Sequence, residues 1–372
     1  MREGPERTVD RLGAAPAGLG DFDRKMDALG GAVVVSESGS SDECATLWLH
    51  RIAETPYPLL EKATLFWHDH FSVAGARAGK ALLMEQHLRL LRRNALGRFD
   101  RMLREIVRDP ATRLAFEARS SPKAKPPLVL SRMLLGRWTL GSGATDADVR
   151  DAARALTGAS VLRDQYHMQP ADRDSGTKRV LGREGDLQSD DVAGLAASHP
   201  ATATHIARRA WRWFVSDDAP PDDATIAPLA AAFAKDLDFG KLTATILRSN
   251  VFFSDAAIGR KVKSPVEFGF EVASAAGALP APAALHRSLA ALGQKLLEPP
   301  TSEGWAGGRR WLNHFTLMGR ANLAETILTR PLEGDSRQWS ELLLQRPARP
   351  GDTRRGREAV LAIVTSFDFQ MG

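Results

Sequence analysis

A run of helical periodicity from Pro58 to Phe99 constrains this 372-residue chain more than any other feature. Pro58 suits the first helical position, where its missing N–H would have no partner anyway. Leu60, Ala63, Thr64, Trp67 and Phe71 follow at i, i+3, i+4, i+7 and i+11, which traces one face of a 3.6-residue period. Gly75 and Gly79 interrupt the pattern. A second helix is predicted over Ala81–Leu96, with Leu83, His87, Leu90, Leu91 and Asn94 along one side and Gly97 as its stop. Phe99, Met102, Leu103 and Ile106 open a third.

The same signals recur along the chain. Asp109-Pro110 caps a short helix. Leu128–Leu140 forms another, ending at Gly141. Thr145 to Asp148 reads as a capping box ahead of Val149, Ala152, Ala153 and Leu156. Pro200 and Ser264-Pro265 start further helices. Clean period-2 alternation is missing, so the expected fold class is all-α. The expected form is a multi-helix globular bundle with little or no sheet. Residues 159–190 are polar with scattered apolar positions. They are expected to form one long irregular connection, with a short strand at Val180-Leu181. Residues 1–45, rich in Gly, Ala and Ser, are expected to be a weakly ordered lead-in to a single domain over residues 46–372.

Composition narrows the function classes. Apolar residues at 43 % and charged residues at 26 % are ordinary globular values, so a sizeable core is expected. One cysteine, Cys44, excludes an internal disulfide and a cysteine-built zinc site. No signal-peptide core stands near the N-terminus, and no run approaches the roughly 18 apolar residues of a membrane span. No membrane insertion is expected. The chain as given reads as cytoplasmic, or as exported if its true start lies upstream. The net charge of +5 is mild for this length. The basic cluster Arg92, Arg93, Arg98, Arg101 and Arg104 could contact phosphates of nucleic acid or another anionic polymer. Glu85, Asp100 and Glu105 interrupt it, which favours a solvated helix face.

The densest chemistry is Trp67-His68-Asp69-His70-Phe71. Histidine titrates near neutral pH and is a common metal ligand. Two residues apart on one helix, however, His68 and His70 point about 200° apart and cannot face one ion. No i, i+4 pair of the metalloprotease kind is present. No metal and no cofactor is therefore expected. The bland reading has the histidines satisfying buried carbonyls or acids, and His87, on an apolar face, is read likewise. The aspartates Asp172, Asp174, Asp186, Asp190 and Asp191 lack calcium-loop spacing. The loop Gly304–Gly308 lacks a phosphate-loop ending, and its neighbours Trp305 and Trp311 are expected to pack it against the body. No G-x-S-x-G nucleophile motif occurs.

Several blocks, in order, resemble the bacterial domain-of-unknown-function 1800 family: FWHDHF, LRRNALGRFDRML, RDPA, TLG, DVRDAARALTG, DSGTKRVLG, LGQKLLEPP and GWAGGRRWLN. The resemblance spans roughly residues 46–372. It implies a large helical protein, often exported and often encoded beside a sulfatase-like partner. The chain also departs from the family. Where the family's polar block places three acids, this chain has Leu128, Met133 and Gly136, while Arg132 is kept. The family's H-D-x-G-x-K appears as Arg173-Asp174-Ser175-Gly176-Thr177-Lys178, without the histidine. A divergent, non-catalytic or altered binding or scaffold module is therefore expected. The alternatives are a hydrolase-like enzyme using His68, His70, His87 and Arg132, and an anionic-polymer binder. The candidate binding residues are Trp67, Asp69, Trp305 and Trp311.

Overall fold

The helix Pro58–Phe71 lies at the centre of the computed structural model, which describes residues 5–13, 20–35, 40–217, 221–255 and 257–372. Periodicity predicted one apolar face, yet every residue from Leu59 to Phe71 except Lys62 is buried. A helix covered on all sides belongs in the core of a large domain. Leu65 and Phe66 fill the side that the Leu60–Phe71 stripe leaves open. Trp67 is fully buried. It stacks on Phe71 and Phe99, meets Phe239 at a tilt, and donates its indole N–H to the Ala95 carbonyl at 2.9 Å. Ser72, in the left-handed region, returns its N–H to the His68 carbonyl and ends the helix.

The surrounding helices begin where local chemistry says they should. Ala81–Asn94 packs against the central helix, and Phe99–Arg108 packs against Ala81–Asn94 and reaches the central helix through Phe99. Asp109 caps Pro110–Ala115, its carboxylate accepting from Thr112 N–H at 2.9 Å. Full capping boxes precede Asp146–Ala155 and Pro265–Ala276. Helix makes up 62 % and strand 6 % of the described residues, so the fold is mostly helical and globular, as expected. Among the described residues, no helix is long and apolar enough to cross a membrane.

Regular structure extends into two further stretches. The stretch 159–190 is not wholly irregular. It holds two antiparallel hairpins, Ala159–Leu162 with Gln165–Met168 and Lys178–Val180 with Arg183–Gly185. Each turns through two residues with positive φ, Arg163-Asp164 and Leu181-Gly182, as the twist of a two-residue hairpin requires. An Arg-Asp turn carries little sequence signal. Lys178 anchors the stretch. Its buried ammonium donates to the carbonyls of Asp174 (2.8 Å) and Gly176 (2.6 Å) and to Asp186 (2.9 Å).

Within residues 1–45, the described parts form helices over Pro5–Gly13 and Asp21–Val35, and Ser41–Glu54 begins another. Asp23, almost fully buried, receives Arg51 at 3.0 Å and Arg92 at 2.8 Å, and Arg92 also reaches Glu61 at 2.6 Å. Ion pairs thus tie Asp21–Val35 to the body.

Candidate functional site: an arginine-lined cleft beside the histidine helix

His68 and His70 leave the central helix on opposite sides, as their spacing dictates. His68 is enclosed by Trp48, His87 and Trp305, at ring-centroid distances of 5.6, 6.5 and 5.3 Å. Among the described residues, neither of its ring nitrogens has a hydrogen-bond partner. Burial, helped by His87, pushes its pKa down to about 3, so it is neutral at pH 7. His70 lies on the other side and donates from Nε2 to the Trp138 carbonyl at 3.1 Å. Burial, then the charges of Arg209 and Arg137, hold it well below the usual histidine range. His87 binds the Asp109 carboxylate through Nδ1 at 2.8 Å. Two of the three histidines therefore satisfy a buried carbonyl and a buried acid, as the bland reading had it.

The carbonyl that His70 meets belongs to a feature the sequence did not announce. The helix predicted over Leu128–Leu140 is α-helical only to Leu135 and continues as a π-helical turn over Gly136–Leu140. The helix ends there, with the Gly141 N–H on the Gly136 carbonyl, so the later carbonyls of this last turn lack intrahelical donors. His70 takes that of Trp138, and His205 takes that of Arg137 at 2.9 Å. Burial and Arg209 push His205 down to about 4, so it too is neutral and can donate. The turn is braced with the Arg137 side chain directed at Asp69.

Asp69, between the two histidines, borders a cleft of about 340 Å³. Its carboxylate accepts from Arg209 at 2.8 Å and from the Trp305 N–H at 2.9 Å, and its carbonyl accepts from Arg137 at 3.3 Å. Gly304 makes this approach possible: its φ is +82°, and a Cβ there would collide with Asp69 Oδ1. Arg209 and Arg212 lie three residues apart on Pro200–Phe214, hence on one face. Trp213, Lys261 and Trp311 complete much of the wall. Burial lowers the pKa of Arg209 to about 10, with Arg137 adding to the effect. Arg209 therefore remains charged at neutral pH.

The candidate residues thus divide. Asp69, Trp305 and Trp311 meet at the cleft. Trp67 lies in the core and does not line it. His68 and His87 meet each other behind the cleft, and His70 lies apart from them on the other side of the central helix. Arg132 joins none of them. It is on the surface, 3.5 Å from Asp146, with the two side chains 68 % and 74 % exposed. Arg132→Ala is expected to change unfolding free energy by less than about 0.5 kcal/mol, as for exposed ion pairs generally. A urea titration checks this, and a larger loss would give Arg132 a role that its exposure does not suggest. Sequence reasoning missed Arg137, Arg209, Arg212 and Lys261. The run Arg208-Arg209-Ala210-Trp211-Arg212-Trp213 was the available signal.

Chemically, the cleft offers positive charge and N–H donors beside aromatic walls. Among the described residues, no group of three His, Cys, Asp or Glu side chains stands together as a metal site. Cys44 is buried, and burial pushes its thiol up to about 11, out of nucleophilic range. The basic cluster of Arg92 to Arg104 is internally neutralised: Arg92 pairs with Glu61, Arg93 and Arg101 with Glu105, and Arg98 and Arg104 with Asp100. Of the positions where the resemblance expects acids, Leu128 is 48 % exposed, Met133 is buried, and Gly136 starts the π-helical turn.

Neither a curated protein nor a solved structure matches this chain. The family described as "Protein of unknown function (DUF1800)" matches residues 2–367, which is nearly the whole sequence, and the chain belongs to that family.

Proposed function

We propose that the protein is a non-catalytic binding module whose cleft, rather than its histidine pair, receives a small molecule. The observation that carries this reading is the separation of the two features. The cleft at Asp69 opens to solvent, while His68, His70 and His87 are fully buried. A general base works best with a pKa near the operating pH and within reach of substrate. His68, at about 3, has neither property. A volume of about 340 Å³ suits a small ligand. A polymer-binding helix face is not favoured, because its arginines are already paired with Glu61, Glu105 and Asp100. The reading does not call on the sulfatase-like partner that the resemblance implies, and it is indifferent to compartment.

The test is a thermal-shift screen of neutral, cationic and anionic small molecules against the wild type and Ala306→Trp. Ala306 is exposed on the cleft wall, so an indole there should fill the space without touching the core. Ligands that stabilise the wild type and not Ala306→Trp are the expected result. Hydrolysis of an ester or phosphoester that disappears in His68→Ala would overturn the reading in favour of an enzyme.

A further inference from the structure

We propose that the ligand of this cleft carries an oxyanion, a carboxylate, phosphate or sulfate group, received by Arg212 and Arg310. This rests on the cleft being a binding site, as argued above.

The charges lining the cleft do not cancel locally. Asp69 is occupied by Arg209 and the Trp305 N–H, Glu267 by Lys261 and Lys62, and Glu303 by Arg137. Asp217 accepts from the Val262 N–H at 3.1 Å. That leaves Arg212 and Arg310. Both are exposed at the cleft, and among the described residues neither guanidinium has an acid or carbonyl partner.

Unmet hydrogen-bonding capacity in the wall has one sign. Nε of Arg137 and Arg209 and the indole nitrogens of Trp213 and Trp305 are buried without partners, and all four are donors. No carboxylate or hydroxyl oxygen of a lining residue is orphaned in this way. Two free guanidinium forks at the surface of the cleft, with only donors left unmet in the buried wall behind them, favour an acceptor with negative charge, and the planar fork suits carboxylate and phosphate geometry. A neutral sugar would need open aromatic faces, but Trp305 and Trp311 are only 7 % and 8 % exposed.

The experiment titrates the full chain with inorganic phosphate, sulfate and citrate at ionic strength held constant with chloride. Tryptophan fluorescence and melting temperature are the readouts. At least one anion should give a saturable response. Arg212→Ala and Arg310→Ala should each weaken it roughly tenfold or more, the scale of a lost charge-assisted contact. Arg212→Lys should restore part of the affinity. Arg337→Ala, on an exposed arginine paired with Glu341, should leave it unchanged. An anion response that survives in the double variant Arg212→Ala, Arg310→Ala overturns the proposal. So does the absence of a saturable response to all three anions. If neutral compounds blocked by Ala306→Trp still bind in that second case, the cleft remains a binding site and only the oxyanion is wrong.

Discussion

Trp67→Ala is expected to destabilise the protein by about 3–5 kcal/mol, the usual cost of removing a fully buried aromatic. That is a large share of the roughly 5–15 kcal/mol by which a domain is stable. Several contacts are lost together. The indole is stacked on Phe71 and Phe99, meets Phe66 edge-on at 4.8 Å, and holds the Ala95 carbonyl at the end of the Ala81–Asn94 helix. Alanine would leave a cavity and an unpaired carbonyl at the junction of three helices. A clear fall in denaturant midpoint, or insoluble expression, is the expected readout. A variant that unfolds at the wild-type midpoint would mean that the central helix does not organise the core.

Mild acid should have an effect of similar size. His68, His70 and His205 are all held neutral in the folded chain, chiefly by burial, with pKa values of about 3, well below normal, and about 4 respectively. In the unfolded chain a histidine titrates near 6.5. Below that value the unfolded state binds protons that the folded state does not, so stability falls as pH falls. The contribution is complete above about pH 6.5 and is lost progressively toward the folded values. Between pH 7 and 5.5 His68 and His205 should each cost about 1 kcal/mol, with His70 acting in the same direction, a loss of a few kcal/mol in all. Carboxylates such as Asp100 and Asp174, whose pKa values lie below normal, titrate under this window. Glu85 and Glu298, raised by burial, oppose the trend as acid approaches their range. Urea midpoints at the two pH values measure the loss, and His68→Leu should remove about a third of it. Equal wild-type midpoints at both pH values would mean that the histidines are not buried neutral groups.

Helix starts were legible from the chain alone because they depend on a few neighbouring atoms. Pro58, Asp109, Thr145 and Ser264 act within one turn, and each stands where a helix begins. The opposed directions of His68 and His70 were legible for the same reason, since two residues of helix fix an angle. The hairpin at Arg163-Asp164 was not legible, because its residues carry none of the glycine or asparagine that usually marks such a turn.

The cleft depended on distance along the chain. Asp69, Arg137, Arg209 and Trp305 come from four separate segments, and nothing in the spacing of any one of them brings them together. The π-helical turn that directs Arg137 at Asp69 is held by His70 and His205, donors supplied from other helices. The all-α class, the helix starts and the divergence of the two histidines were therefore settled by local sequence. Burial of the central helix on every side, the exposure of Arg132 and the convergence of arginines on Asp69 were settled only by packing. Long-range contacts decide which charges are paired, and pairing decides which are left free to bind.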